Sequence, residues 1–251
     1  MASSALLLYS GSMSGFTPRL LVFDLDGTLI DSRIDLCNSV NAMLSHYQRP
    51  ELPQEIIAGY IGDGASALVR RSLAHVHLIA GQPDPHDDAF LAEALAWFID
   101  YYNLHKLDFT YMYPGVEESL TAIRAAHPQL PMAVLTNKPV NPSRAICAHF
   151  RLDRFFFQNY GGNSFPTKKP SPEGLLTLLA EANRLVGVGH PITPAETVMI
   201  GDSGVDIETA HNAGTRSLGC TFGLSPETLA SAHPDQSVAS ASDWPRALGL
   251  L

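Results

Sequence analysis

Short apolar runs that end abruptly in acids, hydroxyls or lysine recur along this chain, and they leave few folds open. Leu20 to Phe23, Met132 to Leu135, Phe155 to Gln158, Val198 to Ile200 and Ser217 to Thr221 are each short and β-rich. Runs of this kind are what strands buried on both faces look like. Helix-like stretches lie between most of them: Val116 to Ala126, Ser143 to Phe150, Pro172 to Leu185 and Asp206 to Ala213. Strand alternating with helix predicts an α/β fold, a parallel sheet with helices on both sides.

Residues 33–111 break the alternation. Leu36, Val40, Met43, Leu44 and Tyr47 recur at helical spacing, as do Phe90, Ala94, Leu95, Phe98, Tyr101 and Tyr102. Ala65 to Leu78 also reads as helix, and Gly81-Gln82-Pro83-Asp84-Pro85 is a break between helices. The expectation is an all-helical domain over 33–111, inserted into a core made of 17–32 and 112–251, with 1–16 a loose tail. The aromatic stripe reads as bundle core. Ala5 to Tyr9 is too short, and lacks the preceding basic residue, for a secretory signal.

The strongest local signal is Val22-Phe23-Asp24-Leu25-Asp26-Gly27-Thr28-Leu29. Residues two apart on an extended chain point the same way, so Asp24 and Asp26 share one face where a buried strand ends. Ligands bind at such carboxyl ends in parallel sheets, and Gly27 permits a sharp turn that brings backbone amides near an anion. Two adjacent carboxylates repel; a divalent cation relieves this, or one stays protonated. Phosphoryl transfer can use both outcomes, with Asp24 an ionised nucleophile on Mg2+ and Asp26 a proton donor and acceptor.

Three further segments end predicted strands or open predicted helices. Thr136 and Asn137 offer a hydroxyl and free N–H groups to a phosphate oxygen, although Thr-Asn is also ordinary turn chemistry. Lys169, within Lys168-Lys169-Pro170-Ser171-Pro172, can neutralise a phosphoryl group and a nucleophile together, or belong to a solvated lysine pair before a proline-opened helix. Asp202 and Asp206, in Gly201-Asp202-Ser203-Gly204-Val205-Asp206, are hard oxygen ligands suited to Mg2+, with Asp206 equally a helix N-terminal acid. Independent accidents would not place all four at one end of one sheet.

Composition narrows the substrate. The net charge is −9, from 25 acidic and 16 basic side chains, which disfavours nucleic acid as a partner. A small anionic metabolite would need a local positive site. No apolar run is long enough to span a bilayer, so a membrane is not expected either. Cys37, Cys147 and Cys220 are far apart and odd in number, which argues against a disulfide framework and for a reducing, cytoplasmic setting.

In order, Asp24-x-Asp26-Gly27-Thr28, Thr136-Asn137, Lys169-Pro170 and Gly201-Asp202-Ser203-x-x-Asp206 resemble the motifs of the haloacid dehalogenase superfamily, across nearly the whole chain after the tail. The resemblance implies a Rossmann-like core with a mobile helical cap. It implies that Asp24 is nucleophile and metal ligand, and that Asp26 is acid/base with a ligating backbone carbonyl. Thr136 and Lys169 would then bind the phosphoryl group, Asp202 the metal, and Asp206 the metal's water shell. Asp31-Ser32, Tyr60-Ile61-Gly62-Asp63-Gly64, Tyr113-Pro114-Gly115-Val116 and Lys168 to Pro172 look like phosphoglycolate phosphatases. A small phosphorylated metabolite is the implied partner, with 2-phosphoglycolate foremost and a monomer or homodimer as the assembly. Asp26 separates the chain from true dehalogenases, which lack an acid there.

Gly62, Asp63 and Gly64 are candidates for a cap loop that selects substrate, or an ordinary interhelical turn. His75 and His77, two apart on a helix, diverge too far to share a metal. Two other functions stay open: phosphoryl transfer within a sugar phosphate, and a catalytically idle binding module.

Overall fold

The computed structural model describes residues 16–79, 88–187 and 189–251. The expected break at 81–85 and all but the last residue of the expected tail lie outside them. That last residue, Phe16, is no loose end: it packs on the core, with the Arg216 guanidinium 5.7 Å from its ring centre.

Six strands form one parallel sheet. They are β1 (Leu20–Phe23), β4 (Met132–Leu135), β5 (Gln158–Tyr160), β6 (Thr197–Gly201), β7 (Arg216–Cys220) and β8 (Gln236–Val238), in the order β5-β4-β1-β6-β7-β8. Two short strands, β2 (Ile30–Asp31) and β3 (Tyr111–Met112), pair antiparallel where the chain leaves the sheet and returns. All four residues of β1 are fully buried, and the period of two divides them. Leu21 and Phe23 join a cluster with Val116, Leu120 and Ile123 of α5 (Val116–Ala126). Leu20 and Val22 meet Leu175, Leu178, Leu179 and Ala182 of α7 (Glu173–Val186), whose spacing makes one helical stripe. Trp244 closes the first layer, its ring 5.3 Å from that of Phe23.

The run Phe155 to Gln158 departs from the strand expected there. Asp153–Phe155 forms a 3-10 turn, and the strand begins only at Gln158. The Phe155 and Phe156 side chains pack into the core cluster, and the Phe155 N–H closes the turn onto Leu152 O at 3.0 Å. Two helices also begin earlier than their apolar pattern suggests. α6 runs Val140–His149 and α8 runs Gly204–Ala213, the latter opened by a capping box of Ser203 and Asp206.

Between β2 and β3 lie α1 (Arg33–His46), α2 (Gln54–Ala58), α3 (Ala65–Ile79) and α4 (Asp88–His105). They bury a cluster of their own, with Val40, Met43 and Leu44 of α1 against Leu68, Leu73 and Val76 of α3 and Phe98 and Tyr102 of α4. Asp35, on the first turn of α1, is buried and accepts hydrogen bonds from the Phe109 and Thr110 N–H groups (3.0 and 2.8 Å) and the Thr110 hydroxyl (2.7 Å). Charge-assisted bonds of this kind are stronger than neutral ones, and here they tie the outgoing chain to the returning one. Among the described residues, no helix is long and apolar enough to cross a membrane. The three cysteines are free and buried.

Candidate active site

The sheet order reverses at β1, which has β4 on one side and β6 on the other, and a crevice opens at their carboxyl ends. The register pairs Phe23 with Val134 and with Ile200, so the residues after all three strands leave side by side. The Asp24 N–H still donates to Ile200 O at 2.9 Å, and the Thr136 N–H to Tyr160 O at 3.0 Å. Asp24, Thr136 and Asp202 therefore start from fixed backbone positions.

Asp24, Asp202 and Asp206 each offer a carboxylate oxygen within 4.8 Å of the others, and all three are buried. Glycine makes this approach possible. A Cβ at Gly27 or Gly223 would run into the Asp202 carboxylate, and one at Gly201 into Asp206. Asp202 accepts from the Leu224 and Ser225 N–H groups (2.7 and 3.2 Å) and from the Thr28 hydroxyl (3.2 Å). Asp206 accepts from the Ser203 N–H (3.1 Å) and hydroxyl (2.7 Å), so it caps α8 and faces the cluster at once. Lys169 Nζ lies 2.8 Å from Asp24 Oδ1 and 2.5 Å from Asp206 Oδ1.

This crowding shifts protonation. Burial pushes the Asp24 carboxyl up to about 6, against the pull of Lys169 and with a further push from Asp206. Burial, then Asp206 and Asp24, hold Asp202 well above the ordinary carboxylate range. Burial alone would lower Lys169, but the Asp206 and Asp24 carboxylates outweigh it and keep the ammonium charged. One ammonium cannot balance three ionised carboxylates, so protons stay on the cluster unless a cation replaces them. Three hard oxygen donors in that state fit a divalent cation of the Mg2+ kind.

Asp26 stands apart from this cluster. Lys138 Nζ donates to both its oxygens at 2.9 Å, and the Ser32 hydroxyl donates to Oδ1 at 2.5 Å. Lys138 is itself buried and sits 4.7 Å from the Tyr102 ring centre. Lys138 does not stand out in the sequence. Lys138 follows Thr136-Asn137 and reads as part of a turn; its burial is the only signal, and that is a tertiary fact. Thr136 turns its hydroxyl to accept the Lys138 N–H at 3.2 Å.

The helices close over the crevice through one loop. Gly62 and Gly64 adopt left-handed φ angles of 119° and 85°. The Asn137 side-chain amide donates to Gly62 O at 3.1 Å and to Lys169 O at 3.1 Å, and Lys168 Nζ donates to Asp63 O. The Asp63 carboxylate turns outward to Arg71, 2.5 Å away. A Cβ at Gly64 would come within 2.8 Å of Asn137 O. Gly64→Ala is therefore expected to hold the loop off the sheet: kcat/KM falls roughly tenfold to a hundredfold, as for other small misplacements. The melting temperature should drop by only a few degrees, as for a strained φ. Steady-state kinetics beside a thermal melt would check this, and unchanged kinetics would mean that the contact is idle in turnover.

Residues 21–220 match the family model for haloacid dehalogenase-like hydrolases. Among curated relatives, a phosphoglycolate phosphatase of Pseudomonas putida KT2440 is 37% identical over 214 residues, spanning 83% of this chain and 71% of the relative. One from Mannheimia succiniciproducens is 33% identical, spanning 86% and 92%. Among solved structures, a predicted phosphoglycolate phosphatase from Haemophilus somnus 129PT superposes with a TM-score of 0.82 at 29% identity, over 91% of this chain and 97% of that one. With that family's model spanning five of the six strands and the inserted helices, the chain belongs to the haloacid dehalogenase-like hydrolases.

Proposed function

We propose that this chain is a Mg2+-dependent phosphatase of small phosphomonoesters, with 2-phosphoglycolate as its foremost substrate and an aspartyl-phosphate on Asp24 as its intermediate. The observation that carries this reading is the buried meeting of Asp24, Asp202, Asp206 and Lys169 at the head of the crevice, with Asp26 held to one side. The class, a phosphoric monoester hydrolase, follows from the family and from the curated relatives named above.

An Asp24 oxygen attacks phosphorus as the ester P–O bond breaks, and Asp26 gives its proton to the departing oxygen. Asp26 then takes a proton from water, whose oxygen attacks the same phosphorus, freeing inorganic phosphate and restoring the Asp24 carboxylate. Lys169 neutralises the nucleophile beforehand and the phosphoryl oxygens as charge shifts onto them. Thr136 and Asn137 hold the phosphoryl group from the end of β4. Asp24, Asp202, Asp206 and the Asp26 carbonyl would hold the cation, which when bound offsets the clustered negative charge and polarises the phosphoryl group. Residues 33–111 act as a cap that excludes water, with Gly62 and Gly64 at the contact. The three free buried thiols fit a reducing, cytoplasmic setting.

A panel of metabolite phosphates assayed with Mg2+ for free phosphate tests the reading. The expected result is a kcat/KM for 2-phosphoglycolate well above the rest. Isomerised sugar phosphate without free phosphate would overturn it.

The shifted carboxyls predict a pH-dependent response to the cation. With a folded pKa of about 6 against an ordinary 3.8, Asp24 binds more protons folded than unfolded between those values. Its contribution therefore lowers the stability of the metal-free protein as pH rises from about 4 to about 6. A cation competes with those protons, so the rise in melting temperature on adding Mg2+ should be small at pH 5 and large at pH 8. A rise of equal size at both would place the binding elsewhere.

A further inference from the structure

We infer that Lys138, with the Tyr102 hydroxyl beside it, is the specificity site for a carboxylate carried by the substrate a carbon or two from its phosphate ester. The inference rests on the phosphatase reading and adds to it the chemistry of the leaving group.

Asp24, Asp26 and Lys138 line one cavity of about 50 Å3, roofed by the inserted helices. The roof is apolar, with Leu36, Ile61, Leu68, Phe98 and Ile99, so a polyhydroxylated sugar would lose water there and find few partners. Lys138 is the one cation among the described residues that line it. The neighbouring cations are committed: Lys169 to Asp24 and Asp206, Lys168 to Asp63 O, and Arg71 to the Asp63 carboxylate.

Lys138 is not saturated. An ammonium has three donors, and two go to the oxygens of Asp26. The Tyr102 ring lies 4.7 Å away, and its hydroxyl, buried in the same cavity wall, donates to no acceptor among the described residues. A buried donor without a partner is costly, and a ligand acceptor removes that cost. The Lys138 charge is already shared with Asp26, so what the pair offers a carboxylate is the Tyr102 O–H and the ammonium N–H that does not face Asp26. A second phosphoryl group would bring more charge than Lys138 can meet.

Spacing sets the length. Asp24 and Asp26 lie on either side of a bend at Leu25 and line the same cavity, and Lys138 Nζ is 2.9 Å from the Asp26 carboxylate. The gap from phosphorus on Asp24 to the ammonium suits a short acid, such as a phosphorylated two-carbon hydroxy acid, and not a long chain.

The test compares 2-phosphoglycolate with 2-hydroxyethyl phosphate, alike in length but with a hydroxyl in place of the carboxylate, in the wild type, Lys138→Met and Tyr102→Phe. The wild type should favour the carboxylate by kcat/KM. Lys138→Met should cut that preference by about 100-fold, whatever it does to both rates through Asp26, because a buried site built for a charged group rejects the analogue lacking it. Tyr102→Phe, which removes one hydroxyl and leaves Asp26 its partners, should cut it about tenfold, mostly through KM. Equal losses on both substrates in Lys138→Met would make Lys138 a positioning residue for Asp26 and overturn the inference. So would a wild type indifferent to the carboxylate. If Lys138→Met fails to fold, Tyr102→Phe decides, and an unchanged preference there rejects the site. A wild type that releases phosphate from neither substrate nor from an aryl phosphate would sink the phosphatase reading itself, and the inference with it.

Discussion

Asp24→Asn should lose turnover by at least about 10^4-fold while keeping its fold, since removal of a nucleophile leaves only binding and electrostatics to accelerate the reaction. The amide keeps the shape of the carboxylate but cannot form the covalent intermediate. Stability should move little, because two effects oppose each other. Lys169 loses one of its two carboxylate partners, and the cluster loses one of three mutually repelling acids whose burial already disfavours charge. Phosphate release under single-turnover conditions, read beside a thermal melt, would decide the matter. A variant retaining a tenth of wild-type activity would remove Asp24 from the role of nucleophile.

Lys169→Met should be the most damaging change to the fold itself. Its ammonium is buried between Asp24 and Asp206, and taking one partner out of a buried ionic group typically costs 3–5 kcal/mol through the charges left behind. For a chain of this size that is a fall of roughly 10 °C in melting temperature. Turnover should drop by roughly 10^3-fold, as for loss of a preorganised electrostatic group. Excess Mg2+ should restore part of the stability and little of the activity, because a cation can replace the ammonium between the carboxylates but not at the phosphoryl oxygens. A melting temperature equal to wild type without metal would mean that those acids are protonated and the ion pair is absent in solution.

Much of this site was legible because strand ends and chemistry coincide. Asp24, Thr136 and Asp202 each follow a fully apolar run, so locating the strands located the residues. What stayed hidden depends on contacts between distant segments. Lys138 belongs to a turn-like stretch, and nothing local says that it is buried against Asp26 and Tyr102. Asp35 reads as a helix N-terminal acid, and its partners at Phe109 and Thr110 become visible only when both crossings meet. The Phe155–Gln158 run has strand propensity, but Phe155 and Phe156 fill the core from a tight turn, so packing displaced the strand. The last segments, Leu229–Ala232, Gln236–Val238 and Trp244–Ala247, are too short to show a period, although Trp244 is completely buried.

The central position of β1 has a bearing on how the molecule comes to exist at a ribosome. Its neighbour β6 is synthesised long after it, so a nascent chain that stops before Thr197 carries Asp24, Asp26 and Lys169 without the two remaining acids. The intervening helices can collapse on their own cluster in the meantime, and the Asp35 knot then shortens the free segment that must be closed, which reduces the entropic cost of bringing the halves together. On the proposed mechanism such fragments lack two of the three carboxylates that would hold the cation, and competence arrives in one late step.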